Sequence, residues 1–322
     1  MLRSNVTHWR DVLVGSPKEC VPPADEPRVQ CNGAFVAFLS GDRYLAGALC
    51  LHQSLLSVNS RCPFVLVYDD RPEFEPSVRS LRKLVKTFRP ENLVPITALF
   101  SQWPRVSHTV RQNFSTWRHF NYSAPQQLPV PSPISAGDRH RVPLPAGRRL
   151  YQSMELYNTQ LKLWLFALPE AQYQRIVVLD IDMVVVCNID FLLTSFVLSK
   201  PVAAVSACSH YFNSGLFVAS PRLAQLKGLL AVNRHAAHTT RACESKPGDQ
   251  TVLNQYFKRR WEPLPITFVT KWKGKTNATW SRDDPAVLHF SSEPKPWDKR
   301  ADAAMRGMWT QFRCQAQRDF EL

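Results

Sequence analysis

Arg175-Ile-Val-Val-Leu-Asp180-Ile-Asp182-Met-Val-Val-Val186 is the stretch on which the reading of the fold turns. A fully apolar run ends in two carboxylates one residue apart, and a second apolar run follows at once. Residues 175–180 and 183–187 read as buried strands. Both carboxylates then project from a strand end into whatever crevice lies there. Two carboxylates so close repel each other, and ionising both is costly without a divalent cation. The pattern suits an oxygen-ligated Mg²⁺ or Mn²⁺ that bridges to the phosphates of a nucleotide-activated substrate.

Two other readings of the same letters stand beside it. One is an acidic turn at a strand end that merely caps a helix. The other is the nucleophile of an aspartate-based phosphatase, since Asp180-Ile-Asp182-Met-Val184 fits the signature hhhhDxDx[TV]. Position weakens that reading: the phosphatase strand usually opens its domain, and here three or four α/β units come first. The later acidic pair Asp283-Asp284 precedes a strand instead of following one.

Upstream, 34–40 reads as a buried strand and 43–57 as a helix with Leu45, Ala48, Leu49, Leu55 and Leu56 on one apolar face. A strand at 64–68, a helix around 77–88 and a weak strand near 93–98 follow. This alternation begins a parallel α/β sheet with helices on its faces, whose ligand site is expected at the carboxyl ends of the strands. Downstream, the pattern predicts a helix at 155–168, a short helical turn at 189–197, and strands at 202–206 and 214–219. Helices at 221–232 and 249–258, late strands at 264–269 and 286–290, and a polar C-terminal helix at 300–318 complete it.

Between these halves, residues 101–150 hold seven Pro, seven Arg and three His with almost no periodicity, so a loop or disordered insertion is expected. The division is then an N-terminal extension 1–32, a single domain 33–300 carrying the basic insertion, and a C-terminal helix or tail 301–322. The net charge of +14 divides into +2 for residues 1–100, +6 for 101–150 and +6 for 151–322, of which 258–275 alone supply +5. Such a balance admits nucleic acid, anionic membranes, acidic polymers or phosphorylated small molecules. No window approaches the roughly 20 apolar residues of a membrane span, and residues 1–15 lack the form of a signal peptide.

The eight cysteines include no C-x-x-C pair and no zinc-like spacing. Cys50, Cys187 and Cys208 lie in apolar runs and read as buried thiols, whereas Cys20 and Cys31 flank a Pro-rich segment and are candidates to pair. N-x-S/T triplets at Asn5, Asn113, Asn121 and Asn277 lean toward a secretory lumen.

Three further segments bear on the chemistry. Asn213-Ser214-Gly215 reads as a turn directly before an apolar strand, where glycine allows close backbone approach to a ligand. Gly248-Asp249-Gln250 opens a helix, so Asp249 and Gln250 sit at its positive end. His289 stands at a strand end, and Lys295 is fixed between Pro294 and Pro296.

In this order and spacing, the chain resembles glycosyltransferase family 8, and within it the glycogenin-like branch. The matching elements are Ser40-Gly-Asp42-Arg-Tyr44-Leu-Ala-Gly47, the block from Tyr173 through Asp180-Ile-Asp182 to Asn188-Ile-Asp190, Phe212-Asn-Ser-Gly-Leu-Phe-Val218, Gly248-Asp-Gln250, and His289 to Lys295-Pro-Trp297. The phosphatase reading predicts none of them. The resemblance implies a GT-A type, Rossmann-like α/β fold with a mainly parallel central sheet and helices on both faces. It further implies transfer of a hexose or related sugar from a UDP-sugar with retention of configuration. Asp180, Asp182 and His289 would hold the metal; an imidazole beside two carboxylates favours Mn²⁺ over Mg²⁺. Phe38, Ser40 and Tyr44 would hold the uridine, Lys295 the diphosphate, and Asn213, Ser214, Gly215, Asp249 and Gln250 the sugar side, with Asp249 or Gln250 nearest the reacting carbon.

Two departures stand out. Gln160 replaces a Lys that the family commonly has just before Leu-x-x-Trp, although Lys162 is two residues away, and Ser292 replaces a Gly in the His289 to Lys295 loop. They motivate a competing reading, a catalytically weak pseudo-transferase or polyanion-binding module that works through 101–150. The expected partners are the UDP-sugar and a carbohydrate, polyol or protein acceptor, with a homodimer compatible and nucleic acid not expected. Tyr151, Tyr157 and Tyr211 are present, and nothing marks them as self-glycosylation targets. The compartment reads as cytoplasmic if residue 1 is the true start, and as Golgi lumen if an anchor precedes it.

Overall fold

A computed structural model describes residues 30–70, 77–101, 161–208, 210–236, 248–271 and 285–311. Residues 155–160 of the helix expected at 155–168, all but Ser101 of the insertion, the rest of the C-terminal helix and the four N-x-S/T asparagines lie outside these residues, and the remainder of that expected helix is a 3-10 helix, Leu161–Ala167.

The first half alternates as expected. Strand β1 (Gly33–Leu39) leads through a short 3-10 turn into helix α1 (Leu45–Ser57), and β2 (Phe64–Tyr68) leads into α2 (Val78–Thr87). The third strand is shorter than expected: β3 (Leu93–Pro95) passes directly into α3 (Ile96–Ser101). In the second half β4 (Arg175–Leu179), β5 (Met183–Val185), β6 (Val202–Cys208) and β7 (Tyr211–Ala219) precede α4 (Leu223–Ala236) and α5 (Asp249–Tyr256). The late strand expected at 264–269 is overturned. Pro265, which has no N–H to give a ladder, divides it into β8 (Trp261–Leu264), a 3-10 turn and β9 (Val269–Lys271). Strand β10 (Val287–His289) and helix α6 (Ala303–Gln311) follow.

Seven strands form one sheet in the order β3-β2-β1-β4-β7-β6-β8. The first four run parallel, β7 lies antiparallel to both β4 and β6, and β8 is parallel to β6. Side chains alternate across it: Phe35, Ala37 and Leu39 pack on one face, Ala34 and Val36 on the other. The second face is covered partly by the 3-10 helix Leu161–Ala167, every residue of which is buried.

A smaller sheet, β5-β10-β9, packs beside the end of β4. Helix α1 is pinned to its outer strand by Ser54, whose hydroxyl donates to Leu51 O (2.8 Å) and accepts from Val185 N (3.0 Å). Gly47 allows the approach, because a Cβ there would lie 2.4 Å from Ile181 O. Asn188 donates to Val58 O and Asn59 O, while Asp190 accepts from Ser60 Oγ and Arg61 N. This Asn-Ile-Asp segment is thereby a clamp on the chain between α1 and β2.

The cysteine expectations are corrected. Cys31 pairs with Cys62, joining the residues before β1 to the loop before β2, so Cys20 is not its partner. Cys50 and Cys208 are disulfide-bonded as well, and Cys187 is the buried thiol. Apolar sequence surroundings do not distinguish a buried thiol from a buried disulfide.

Candidate active site

The antiparallel strand β7 brings the functional segments together. Its N-terminal residues lie against the carboxyl end of β4, where Asp180 N donates to Gly215 O at 2.7 Å. Asn213-Ser214-Gly215 is therefore part of the strand and not the turn before it. Beyond β4 the chain turns tightly, Met183 N donating to Asp180 O at 3.1 Å, and enters β5. Pairing of β5 with β10 sets His289 opposite Met183, and Phe290 N donates to Asp182 O at 2.9 Å. His289 Nε2 thus stands 3.3 Å from Asp182 Oδ1 and 3.7 Å from Asp180 Oδ2.

One ligand atom from each of Asp180, Asp182 and His289 lies within 4.8 Å of the others. Two hard carboxylate oxygens and one imidazole nitrogen at this spacing fit a divalent cation such as Mn²⁺. Gly215 serves this cluster in an unexpected way: a Cβ on it would come within 2.7 Å of His289 Cε1. The close approach that glycine permits is to the histidine.

Two buried lysines complete the charge pattern. Lys295 Nζ donates to Asp182 Oδ2 at 2.7 Å and to Phe290 O at 3.0 Å. Lys162 Nζ donates to Asp180 Oδ1 at 2.7 Å and to Ser214 O at 3.1 Å, and makes an ion pair with Asp249 Oδ2 at 2.7 Å. Burial works to lower the Lys162 pKa, but Asp180 and Asp249 outweigh it and hold the ammonium above the usual lysine range. Asp180 is pushed up, first by burial and further by Asp182 and Asp249, against the pull of Lys162 and His289. Asp182 goes the other way: burial is outweighed by His289 and Lys295, which hold it well below the usual carboxylate range. The two carboxylates are driven apart by different neighbours.

Lys162, noted in the sequence only as a charge two residues from Gln160, was not among the expected site residues. Its signal was a lone lysine inside Leu161-Lys-Leu-Trp-Leu-Phe-Ala167, an apolar run where a charge that is buried must be paired. It carries a positive charge into the site that Gln160 lacks.

On the other flank, side-chain orientations follow from backbone donors. Gly215 N donates to Asn213 Oδ1 (2.9 Å), which turns Asn213 Nδ2 toward Gln250 Oε1 (3.2 Å). Ser214 N also donates to Gln250 Oε1 (3.1 Å), so both bonds fall on the amide oxygen and Nε2 is the amide's donor. Asn254, not anticipated from sequence, fixes α5 in place by accepting from Phe212 N and donating to Phe212 O, both at 2.8 Å.

Phe38 and Ser40 stand at the end of β1, the strand next to β4. Gly41 has φ 74°, a left-handed conformation suited to glycine, and turns the chain toward Tyr44. The Tyr44 ring meets Trp297 edge-on at 6.1 Å, and Arg43 pairs with Glu293 at 3.0 Å. The segment carrying Lys295 is thus tied to the segment carrying Tyr44. Ser292 in that loop is exposed, and only Asn59 and Arg259 among the described non-glycine residues have positive φ. The loop accepts a serine without a left-handed backbone.

A parallel sheet reversed at β7, with an acidic pair at the end of β4, is the GT-A fold. Residues 35–301 match the family described as Glycosyl transferase family 8, and the chain belongs to that family. The glycosyltransferase GlyA of Streptococcus pneumoniae serotype 4 is 27% identical over 156 residues, 43% of this chain and 21% of GlyA. The chain thus spans about a fifth of the length of that relative. Among solved structures, apo GlyE of S. pneumoniae TIGR4 is similar with a TM-score of 0.53 at 14% identity, covering 88% of this chain and 60% of GlyE. The galactosyltransferase LgtC in complex with donor and acceptor sugar analogues also gives 0.53, at 15% identity over 87% of this chain and 95% of LgtC. These likenesses define the fold.

Proposed function

We propose that this family 8 glycosyltransferase moves a hexose or related sugar from a UDP-sugar to a carbohydrate, polyol or protein acceptor with retention, using Mn²⁺ in preference to Mg²⁺. The observation that carries the reading is the meeting of Asp180, Asp182 and His289 within 4.8 Å between two buried lysines. Asp180, Asp182 and Asp249 exceed Lys162 and Lys295 by one negative charge, with His289 neutral as ligation requires. With a divalent cation bound, the sum becomes one positive charge, which suits a diphosphate. The bound metal would supply electrostatic stabilisation of the departing diphosphate.

Lys295 takes the same role from the protein side, since its hydrogen bonds to Asp182 and Phe290 engage two of three ammonium hydrogens. Phe38, Ser40 and Tyr44 provide the nucleoside side of the crevice. Asn213, Ser214, Gly215, Asp249 and Gln250 form the sugar side. Gln250 Oε1 already accepts two hydrogen bonds, so its part is to donate to the sugar through Nε2 rather than to attack it. Asp249 is held by Lys162. Orientation of the sugar is the work of both, and the reading assigns neither the part of a covalent nucleophile.

The disulfide at Cys31–Cys62 and the disulfide-bonded Cys50 and Cys208 favour an oxidising compartment as the place of action. The test of function is a hydrolysis screen over UDP-sugars with Mn²⁺, together with thermal shift by UDP plus Mn²⁺. Slow release of one sugar and a raised melting temperature are expected. A flat response across all donors overturns the reading.

A further inference from the structure

Lys162 and Lys295 look alike in sequence and differ in what surrounds them. Lys295 Nζ has two oxygen contacts, from Asp182 and Phe290. Lys162 Nζ has three within 3.1 Å, and they come from three elements: Asp180 at the exit of β4, Ser214 on β7 and Asp249 at the start of α5. An ammonium carries three hydrogens. Both lysines make two hydrogen bonds; Lys162 adds an ion pair to Asp249 Oδ2, an oxygen that makes no hydrogen bond of its own, so protein oxygens hold Lys162 from three elements and Lys295 from two.

The carboxylates show the same division of labour. Asp182 turns Oδ1 to His289 and Oδ2 to Lys295; Asp180 turns Oδ2 to His289 and Oδ1 to Lys162. In each, one oxygen faces His289 and the other a lysine. Lys162 alone extends this hold to the sugar side, through Asp249 and the carbonyl of Ser214, whose own N–H orients Gln250.

We propose that Lys162 is a positioning residue that sets the register between the metal and diphosphate half of the site and the sugar half. It touches neither reacting atom. Its effect is exerted through Asp249 and Ser214, which it holds at a fixed distance from Asp180. A tetrahedral ammonium at the end of a flexible stem gathers three oxygens around one nitrogen, and the planar guanidinium of arginine does not. This inference rests on the transferase reading, and adds to it the link on which turnover, as distinct from donor binding, depends.

The experiment compares wild type, Lys162→Met, Asp249→Asn and the double variant in Mn²⁺-dependent hydrolysis of the wild type's preferred UDP-sugar, with UDP plus Mn²⁺ binding measured by calorimetry. Misplacement by about 1 Å costs on the order of 100-fold, so Lys162→Met is expected to lower kcat by about that factor. Donor KM and UDP plus Mn²⁺ affinity should stay within about threefold, and the double variant should be no slower than the slower single one. Turnover near wild type in Lys162→Met, multiplicative losses in the double variant, or parallel loss of UDP binding each overturns the proposal. If Lys162→Met fails to melt cooperatively, Lys162→Arg decides: it retains the charge and should still lose at least about tenfold in kcat, and wild-type turnover overturns the proposal. Absence of any donor hydrolysis or UDP binding in the wild type overturns the transferase reading instead.

Discussion

The two ends of the central sheet solve opposite problems with similar residue types. At the carboxyl end, polar side chains bond mainly to one another: Lys162 to Asp180 and Asp249, Lys295 to Asp182, Gln250 to Asn213. At the amino end they bond to backbone: Asn188 to Val58 and Asn59, Arg175 to Leu192 O and Phe196 O, Asp190 to Arg61 N. There Cys31–Cys62 ties two loops, and His52 stacks between Phe64 and Phe88. A cavity of about 470 Å³ at this end, lined by His52, Leu55, Arg61, Phe64 and Arg89 among others, is remote from the carboxylate cluster. Charges that pair mainly with other side chains can be rearranged around a ligand. Side chains that saturate backbone groups hold the chain in one path.

That contrast can be broken most directly at Asp182. Changing Asp182 to Ala should abolish the thermal shift by UDP plus Mn²⁺ and lower donor hydrolysis by about 1,000-fold, while the unliganded protein still melts cooperatively. Persisting turnover would show that the carboxyl end is no more specialised than the amino end. The reciprocal change, Cys31→Ser with Cys62→Ser, should lower unfolding free energy by about 2–4 kcal/mol in a denaturant titration with donor KM unchanged. A changed KM would mean that the two ends are mechanically coupled.

Gly215→Ala sharpens the comparison within the carboxyl end. The added methyl displaces His289 and should weaken Mn²⁺ binding by about 10- to 100-fold in calorimetry, leaving secondary structure by circular dichroism intact. The smallest effect is expected at His52. Burial lowers its pKa below 6.5, so the folded state resists the proton that the unfolded state takes up. Its contribution is complete above pH 6.5 and declines as pH falls from there toward the folded pKa. His52→Gln should flatten the stability profile below about pH 6.5 without moving the pH profile of turnover.

How much of this was legible in the sequence depends on the kind of signal. Uninterrupted apolar runs marked β1, β2 and β4, and the order of Asp180, Asp182, Asn213, Asp249, Gln250, His289 and Lys295 marked residues that the fold does bring to one place. Strand direction was not marked: periodicity is the same forwards and backwards, so the reversal of β7, which puts Gly215 beside Asp180, was missed. Pro265 was a visible breaker inside the supposed strand 264–269 and was outweighed there by its apolar neighbours. The contacts of Lys162, named only as a neighbour of Gln160, and those of Asn254 were hidden for another reason. Their partners lie far away in sequence, and only tertiary packing shows that a lysine in an apolar run faces three oxygens.

The Ser54 hydroxyl has a consequence for how the molecule meets its neighbours. A three-stranded sheet exposes ladder groups along its outer strands, and such groups invite pairing with a strand from another chain. On β5 the Val185 N–H is closed by Ser54 from within the same domain. One hydroxyl on a helix therefore does what a further strand would do, and guards against intermolecular strand addition beside a site that has to stay open to solvent.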